Sequence, residues 1–176
     1  MRCQTWWLTG LPGAGKTTLA TGLVAALKAR GEAALLLDGD ALRAGVHADL
    51  DHSPAGRRAQ AVRTAHLAQA AIERGVWPVV ALVSPMREDR AAAMAILGCM
   101  IEIHVTTPAT ICAARDPKGL WAKAAAGTLP GLTGFDACYE APLSPPALQI
   151  DGGGDAALAV KRLLDDLISE EMKPVF

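Results

Sequence analysis

Residues 10–18 read Gly10-Leu11-Pro12-Gly13-Ala14-Gly15-Lys16-Thr17-Thr18 and match G-x-x-x-x-G-K-[ST] in full. Ahead of them Thr5-Trp6-Trp7-Leu8-Thr9 is a short apolar run suited to a buried strand, and behind them Leu19, Leu23, Ala26 and Leu27 recur at helical spacing. Strand, glycine loop and helix in that order make a phosphate-binding loop of the pattern. Glycines let the backbone wrap a polyphosphate, and the N–H groups opening the helix point at the anion. Gly10, Pro12, Gly13, Ala14, Gly15, Lys16, Thr17 and Thr18 are the expected ATP-binding residues. Lys16 reaches the β- and γ-phosphates, and the Thr17 hydroxyl is the expected Mg²⁺ ligand.

Outward from the loop, apolar β-prone runs alternate with helical stretches. The runs are 33–37, 77–83, 100–105 and 147–150; helical periodicity covers 55–74, 87–97, 108–115 and 155–171. The alternation predicts an α/β fold, a three-layer αβα P-loop kinase with a central parallel sheet. The C-terminal ends of the strands then share one rim, where ligands bind, and Asp38, Ser84 and the phosphate loop fall on it. Residues 1–176 read as one domain. Residues 116–154 hold seven glycines and five prolines; so long an irregular stretch reads as a lid or substrate loop, spanning about 116–146. Leu120, Trp121, Leu132, Phe135 and Tyr139 are its expected apolar anchors.

Composition limits the function classes. The chain is 51% hydrophobic with a net charge of −1, which argues against disorder and against a broad nucleic-acid surface. No apolar stretch approaches the ~20 residues of a membrane span. The first residues run straight into the first strand, so no signal peptide is expected and a cytoplasmic location is. Cys3, Cys99, Cys112 and Cys138 are far apart with no C-x-x-C pair, so free thiols are expected. The four histidines show no metal-ligand spacing. No asparagine occurs anywhere, which excludes the N-K-x-D guanine-reading motif.

Three further groups carry chemistry. Leu37-Asp38-Gly39-Asp40-Ala41-Leu42-Arg43 puts two carboxylates and a guanidinium at a strand's end. One carboxylate can hold metal-bound water and the other accept a proton from an attacking hydroxyl; an Asp there, Asp40 included, can also cap the next helix. Arg57, Arg58 and Arg63 read either as a solvated helix face or, for Arg57 near the start, as an anion grip. Val83-Ser84-Pro85-Met86-Arg87 reads either as a substrate-contacting or phosphorylatable serine or as a turn with Pro85 opening a helix.

Taken together with residues 113–142, these motifs resemble the adenylylsulfate (APS) kinase family. The most specific stretch is Arg115-Asp116-Pro117-Lys118-Gly119-Leu120-Trp121-Ala122-Lys123, continuing through Gly131-Leu132-Thr133-Gly134-Phe135-Asp136 to Tyr139-Glu140-Ala141-Pro142. The resemblance implies transfer of the ATP γ-phosphate to the 3′-hydroxyl of adenosine 5′-phosphosulfate, with ATP and Mg²⁺ as cofactors. It implies Lys16, Asp38, Asp40 and Ser84 as catalytic residues, Asp40 as the base and Ser84 at the family's phosphoenzyme serine. In-line transfer between two bound nucleotides needs no such covalent intermediate. It implies Asp40, Arg43, His52, Arg57, Gln60, Val83, Ser84, Lys118, Lys123 and Leu132 as acceptor-binding residues, the partner being a small nucleotide acceptor. No nucleic-acid or membrane partner is implied, and homodimerisation is left open.

The departures from the family cluster at one end of the pocket. His52 and Leu132 stand where the family stacks adenine between two phenylalanines; Gly56, Gln60 and Val62 replace an aspartate, an asparagine and an arginine. Stacking of a base on an aromatic ring is worth roughly 1–3 kcal/mol, so the anion-gripping end is kept while the base-gripping end is altered. Two other readings follow: a kinase of the same fold acting on another nucleoside diphosphate derivative, such as a cytidine nucleotide, and a non-catalytic ATP sensor.

Overall fold

The computed structural model describes residues 5–143 and 148–171. Five strands, β1 (Trp6–Thr9), β2 (Ala34–Asp38), β3 (Trp77–Ala81), β4 (Ile101–Val105) and β5 (Leu148–Ile150), form one sheet in the order β2-β3-β1-β4-β5, with every pairing parallel. Seven helices accompany them among the described residues: α1 (Lys16–Ala29), α2 (Gly39–Ala44), α3 (Pro54–Ile72), α4 (Arg87–Leu97), α5 (Ala109–Arg115), α6 (Leu120–Ala125) and α7 (Ala156–Glu171).

Side-chain alternation along the strands separates two cores. Trp6 and Leu8 of β1 join Trp77, Val79, Ile103 and Val105 on one face, covered by Leu19 and Leu23 of α1 and Leu163 of α7. Trp7 points the other way, to Leu37, Val80 and Leu82, where Ala61, Ala65 and Ala68 of α3 and Ala93 and Leu97 of α4 close the layer. Alanines on α3 let that helix lie close against sheet and α4. The expected three-layer αβα sandwich is the one observed.

β3 stops at Ala81, short of the expected 83, because Ser84 takes a left-handed backbone (φ 40°) that turns the chain away from the sheet. The short helices α2 and α6 carry too few turns to register as periodicity; α2 was open only as the helix an Asp of this stretch could cap, and α6 was not expected. Phe135, expected as an anchor of the 116–146 segment, is instead 53% exposed, whereas Trp121 and Leu132 are buried. Cys112 and Cys138 are free thiols, but Cys99 is disulfide-bonded, which corrects the expectation of free thiols throughout. Pairing follows proximity in space, which wide spacing in sequence does not reveal. Cys3 and residues 144–147 lie outside the described residues.

Candidate functional site

The phosphate loop joins β1 to α1. Gly13 has φ 82°, and a Cβ there would sit 2.9 Å from the Cys112 carbonyl oxygen; only glycine fits so close to α5. The loop is held from three sides. Thr107 Oγ1 donates to the Ala14 carbonyl at 2.7 Å, and Trp121 Nε1 donates to the Pro12 carbonyl at 3.0 Å. Lys16 Nζ donates to the carbonyls of Gly10 and Leu11 at 2.9 and 2.8 Å. Burial lowers the Lys16 pKa to about 8, since a charged ammonium is poorly solvated there.

Thr17 Oγ1 donates to Asp38 Oδ2 at 2.7 Å across the gap between α1 and β2. The other Asp38 oxygen accepts from the N–H groups of Asp40 and Ala41 at 3.0 and 3.2 Å. Asp38, rather than Asp40, is therefore the cap of α2, which frees the Asp40 side chain to face the opening. There it pairs with Lys118.

Arg43 Nη1 donates to the Leu50 and Asp51 carbonyls, both at 2.7 Å. Arg57 Nε donates to the His52 carbonyl at 2.9 Å, and its Nη2 to the Gly131 carbonyl at 3.2 Å. These main-chain bonds fix both guanidiniums, and among the described residues neither has a carboxylate partner. Burial lowers both pKa values, and Arg43 adds to the effect at Arg57. Asp51 and Asp40 act on Arg43 only from a distance, so the two guanidiniums, in no direct ion pair, form a site suited to an anion. Burial, then Arg43 and Arg57, lowers the His52 pKa as well, which keeps its imidazole neutral at pH 7. Gln60 Nε2 donates to the Gly39 carbonyl at 2.9 Å, fixing the start of α2.

One cavity of about 800 Å³ unites these groups. Pro12, Gly13, Lys16, Thr17 and Thr18 line one end; Asp40, Arg43, His52, Arg57, Gln60, Val83, Ser84, Lys118 and Leu132 line the rest. Gly10 and Ala14 lie behind this wall and serve the loop through their carbonyls. Lys123 is not on the cavity surface; it sits in the last turn of α6. Arg58 and Arg63 turn to carboxylates away from the cavity, Arg58 to exposed Glu88 and buried Asp89 and Arg63 to exposed Asp49.

Sequence reasoning gave no separate role to Arg115, whose guanidinium donates to the Gly152 and Gly153 carbonyls at 2.8 and 3.2 Å on the cavity's loop side. It also overlooked Arg90, which donates to the Ser84 carbonyl from beneath the cavity. Arg90 belongs to no spacing pattern, and Arg115, although it heads the 115–123 stretch, works through carbonyls distant in sequence. Gly56 has a local reason: a Cβ there would lie 2.2 Å from Asp51 Oδ1.

Comparison with known proteins accords with this geometry. The family model described as Adenylylsulphate kinase matches residues 2–151. An adenylyl-sulfate kinase of Shewanella amazonensis is 44% identical over 93% of this chain and 83% of its own length. The solved structure of the Mycobacterium tuberculosis APS kinase CysC in complex with AMPPNP and APS is 35% identical. It superposes with a TM-score of 0.89 over 96% of this chain and 98% of that one. A hexameric APS kinase from Thiobacillus denitrificans is 28% identical with a TM-score of 0.69, over 97% of this chain and 29% of that one. The phosphate loop, the paired aspartates and the sheet that presents them place this chain in the adenylylsulfate kinase family.

Proposed function

We propose that this protein transfers the γ-phosphate of ATP to the 3′-hydroxyl of adenosine 5′-phosphosulfate, giving ADP and 3′-phosphoadenylylsulfate. The observation that carries this reading is a pair of guanidiniums, Arg43 and Arg57, held by main-chain carbonyls and in no direct ion pair, in the same cavity as the phosphate loop and Asp40. The cavity thus offers one site for a triphosphate and a second for an anionic nucleotide, as in the relative that holds AMPPNP and APS.

Lys16 stays protonated against the β- and γ-oxygens and offsets the charge that builds there during transfer. Thr17 and Asp38 are two hard oxygen ligands suited to Mg²⁺, and among the described residues no cluster of three or more acidic, His or Cys side chains offers a metal site. Thr17 and Asp38 would hold Mg²⁺ together with substrate phosphates, and the ion would supply charge neutralisation at the phosphate being transferred. Asp40 accepts the proton of the attacking 3′-hydroxyl. Arg43 and Arg57 grip the phosphosulfate. Val83, Ser84, Gln60, His52 and Leu132 line the acceptor's side, and Lys118 and Lys123 belong to the lid, residues 116–146, that covers both nucleotides. The chain works as one domain in the cytoplasm, where ATP is available, and a homodimer would be a smaller assembly than the hexameric APS kinase from Thiobacillus denitrificans.

A specific observation favours a second acceptor. His52 and Leu132 both line the cavity, and neither offers the broad aromatic face that holds adenine strongly. ADP release measured with APS against a panel of nucleoside diphosphate derivatives of different bases decides between them. A clear preference for APS supports the first reading, and preference for another base overturns it. Absence of ADP release with every acceptor would leave only ATP binding.

A further inference from the structure

Ser84 is held in an uncommon conformation by buried side chains. Its backbone lies in the left-handed region (φ 40°), a conformation an L-residue keeps only when its surroundings impose it. Two buried side chains impose it here. Trp7 Nε1 donates to Ser84 Oγ at 3.1 Å. Arg90, only 1% exposed, donates from Nη1 to the Ser84 carbonyl at 2.7 Å. Arg90 Nε is anchored on Glu102 at 2.9 Å and its Nη2 donates to the Glu140 carbonyl at 2.8 Å, so the guanidinium cannot swing away from the serine. Thr9 Oγ1 secures the preceding carbonyl, that of Val83, at 2.6 Å.

The bond from Trp7 fixes the sense of the serine hydroxyl. An indole N–H can only donate, so Ser84 Oγ accepts and its own proton is left to point elsewhere. Among the described residues no protein acceptor takes that proton, and Ser84 lines the cavity at 7% exposure. Resting on the kinase reading above, we propose that Trp7 and Arg90 are positioning residues that aim the Ser84 hydroxyl as a hydrogen-bond donor at the acceptor nucleotide. The recipient is an oxygen of that nucleotide. The serine acts by binding and carries no phosphate.

A double-mutant cycle tests this. Steady-state KM and kcat are measured with APS and ATP for the natural protein, Ser84→Ala, Trp7→Phe and the double variant. Trp6→Phe is the packing control: Trp6 is equally buried on the opposite face of β1, and its indole N–H has no partner among the described residues. Losing one hydrogen bond raises the acceptor KM about 3- to 10-fold. The expected result is such a rise in both single variants, an unchanged ATP KM and kcat, and no further rise from Trp7→Phe once Ser84 is Ala. Trp6→Phe should leave the acceptor KM alone. Multiplicative effects in the double variant, or a Trp7→Phe variant that behaves as Trp6→Phe does, overturn the proposal. If Trp7→Phe does not fold, Arg90→Lys takes its place in the cycle: a non-additive KM rise supports the proposal, and a multiplicative or absent one overturns it. If the natural protein ignores APS but turns over another nucleotide of the panel, the acceptor reading alone fails and the cycle is read with that nucleotide. An enzyme with no acceptor overturns both.

Discussion

Lys118 and Asp40, 78 residues apart, form an ion pair across the mouth of the cavity. Both side chains are largely exposed, so the pair itself adds little to stability. Its consequence is positional: it sets the lid's lysine against the proposed base, at the place where the acceptor hydroxyl must arrive.

Asp40→Asn should therefore depress kcat by about 10²–10⁴-fold, the range for loss of a positioned general base. The acceptor KM should change little. A rise in KM with kcat preserved would make Asp40 a ligand of the acceptor instead of its base.

Lys16→Ala should abolish turnover, and near-normal activity would overturn the assignment of the phosphate loop. Its depressed pKa also predicts a pH dependence of ATP binding. In the free protein Lys16 is charged below about 8 and neutral above it; bound polyphosphate favours the charged form. ATP affinity should be full below pH 8 and fall as pH rises through that value, by at most about tenfold per pH unit. Titration calorimetry from roughly pH 6.5 to about 9.5, spanning that pKa, reads this directly, and a flat profile would count against Lys16 as the phosphate ligand.

The double variant His52→Phe with Leu132→Phe should tighten APS binding. Restoring base stacking is worth roughly 1–3 kcal/mol per base, so a fall of about tenfold in the APS dissociation constant is expected. An unchanged constant would show that adenine is already held by other groups of the cavity.

Arg90→Met should destabilise the fold by about 3–5 kcal/mol, since it leaves the mostly buried Glu102 carboxylate without its cation. Chemical denaturation gives the value. The double variant Arg90→Met with Glu102→Leu should recover much of the loss, because removing both charges spares the unpaired one.

The sheet and phosphate loop were legible because their signals are local: β1, the glycines and α1 are contiguous, and each strand is a run of apolar residues. Asp38, Asp40 and Arg43 were legible for the same reason, as was their place on one rim. The irregular course of residues 116–143 was legible from its glycines and prolines, but not the roles of its side chains. Phe135 is as apolar as Trp121, yet one faces outward and the other grips the Pro12 carbonyl. Asp40 was a candidate cap and Asp38 proved to be the cap, a choice set by where β2 ends. Arg90 and Arg115 act on carbonyls 6 to 50 residues away, and sequence spacing has no code for a donor whose partner is main chain.

Arg90 has a further consequence. By binding the Glu140 carbonyl it fastens the far end of the lid to β4, and Glu140 in turn accepts from the Arg87 N–H at 2.8 Å. At the near end the Asp116 carboxylate holds the first turn of α6, accepting from the N–H groups of Trp121 and Ala122. The cover is thus a strap buckled at both ends. Between the buckles the strap is also stitched down, by Trp121 to the Pro12 carbonyl of the phosphate loop and by Arg57 of α3 to the Gly131 carbonyl, so it is anchored along its length and not at its ends alone.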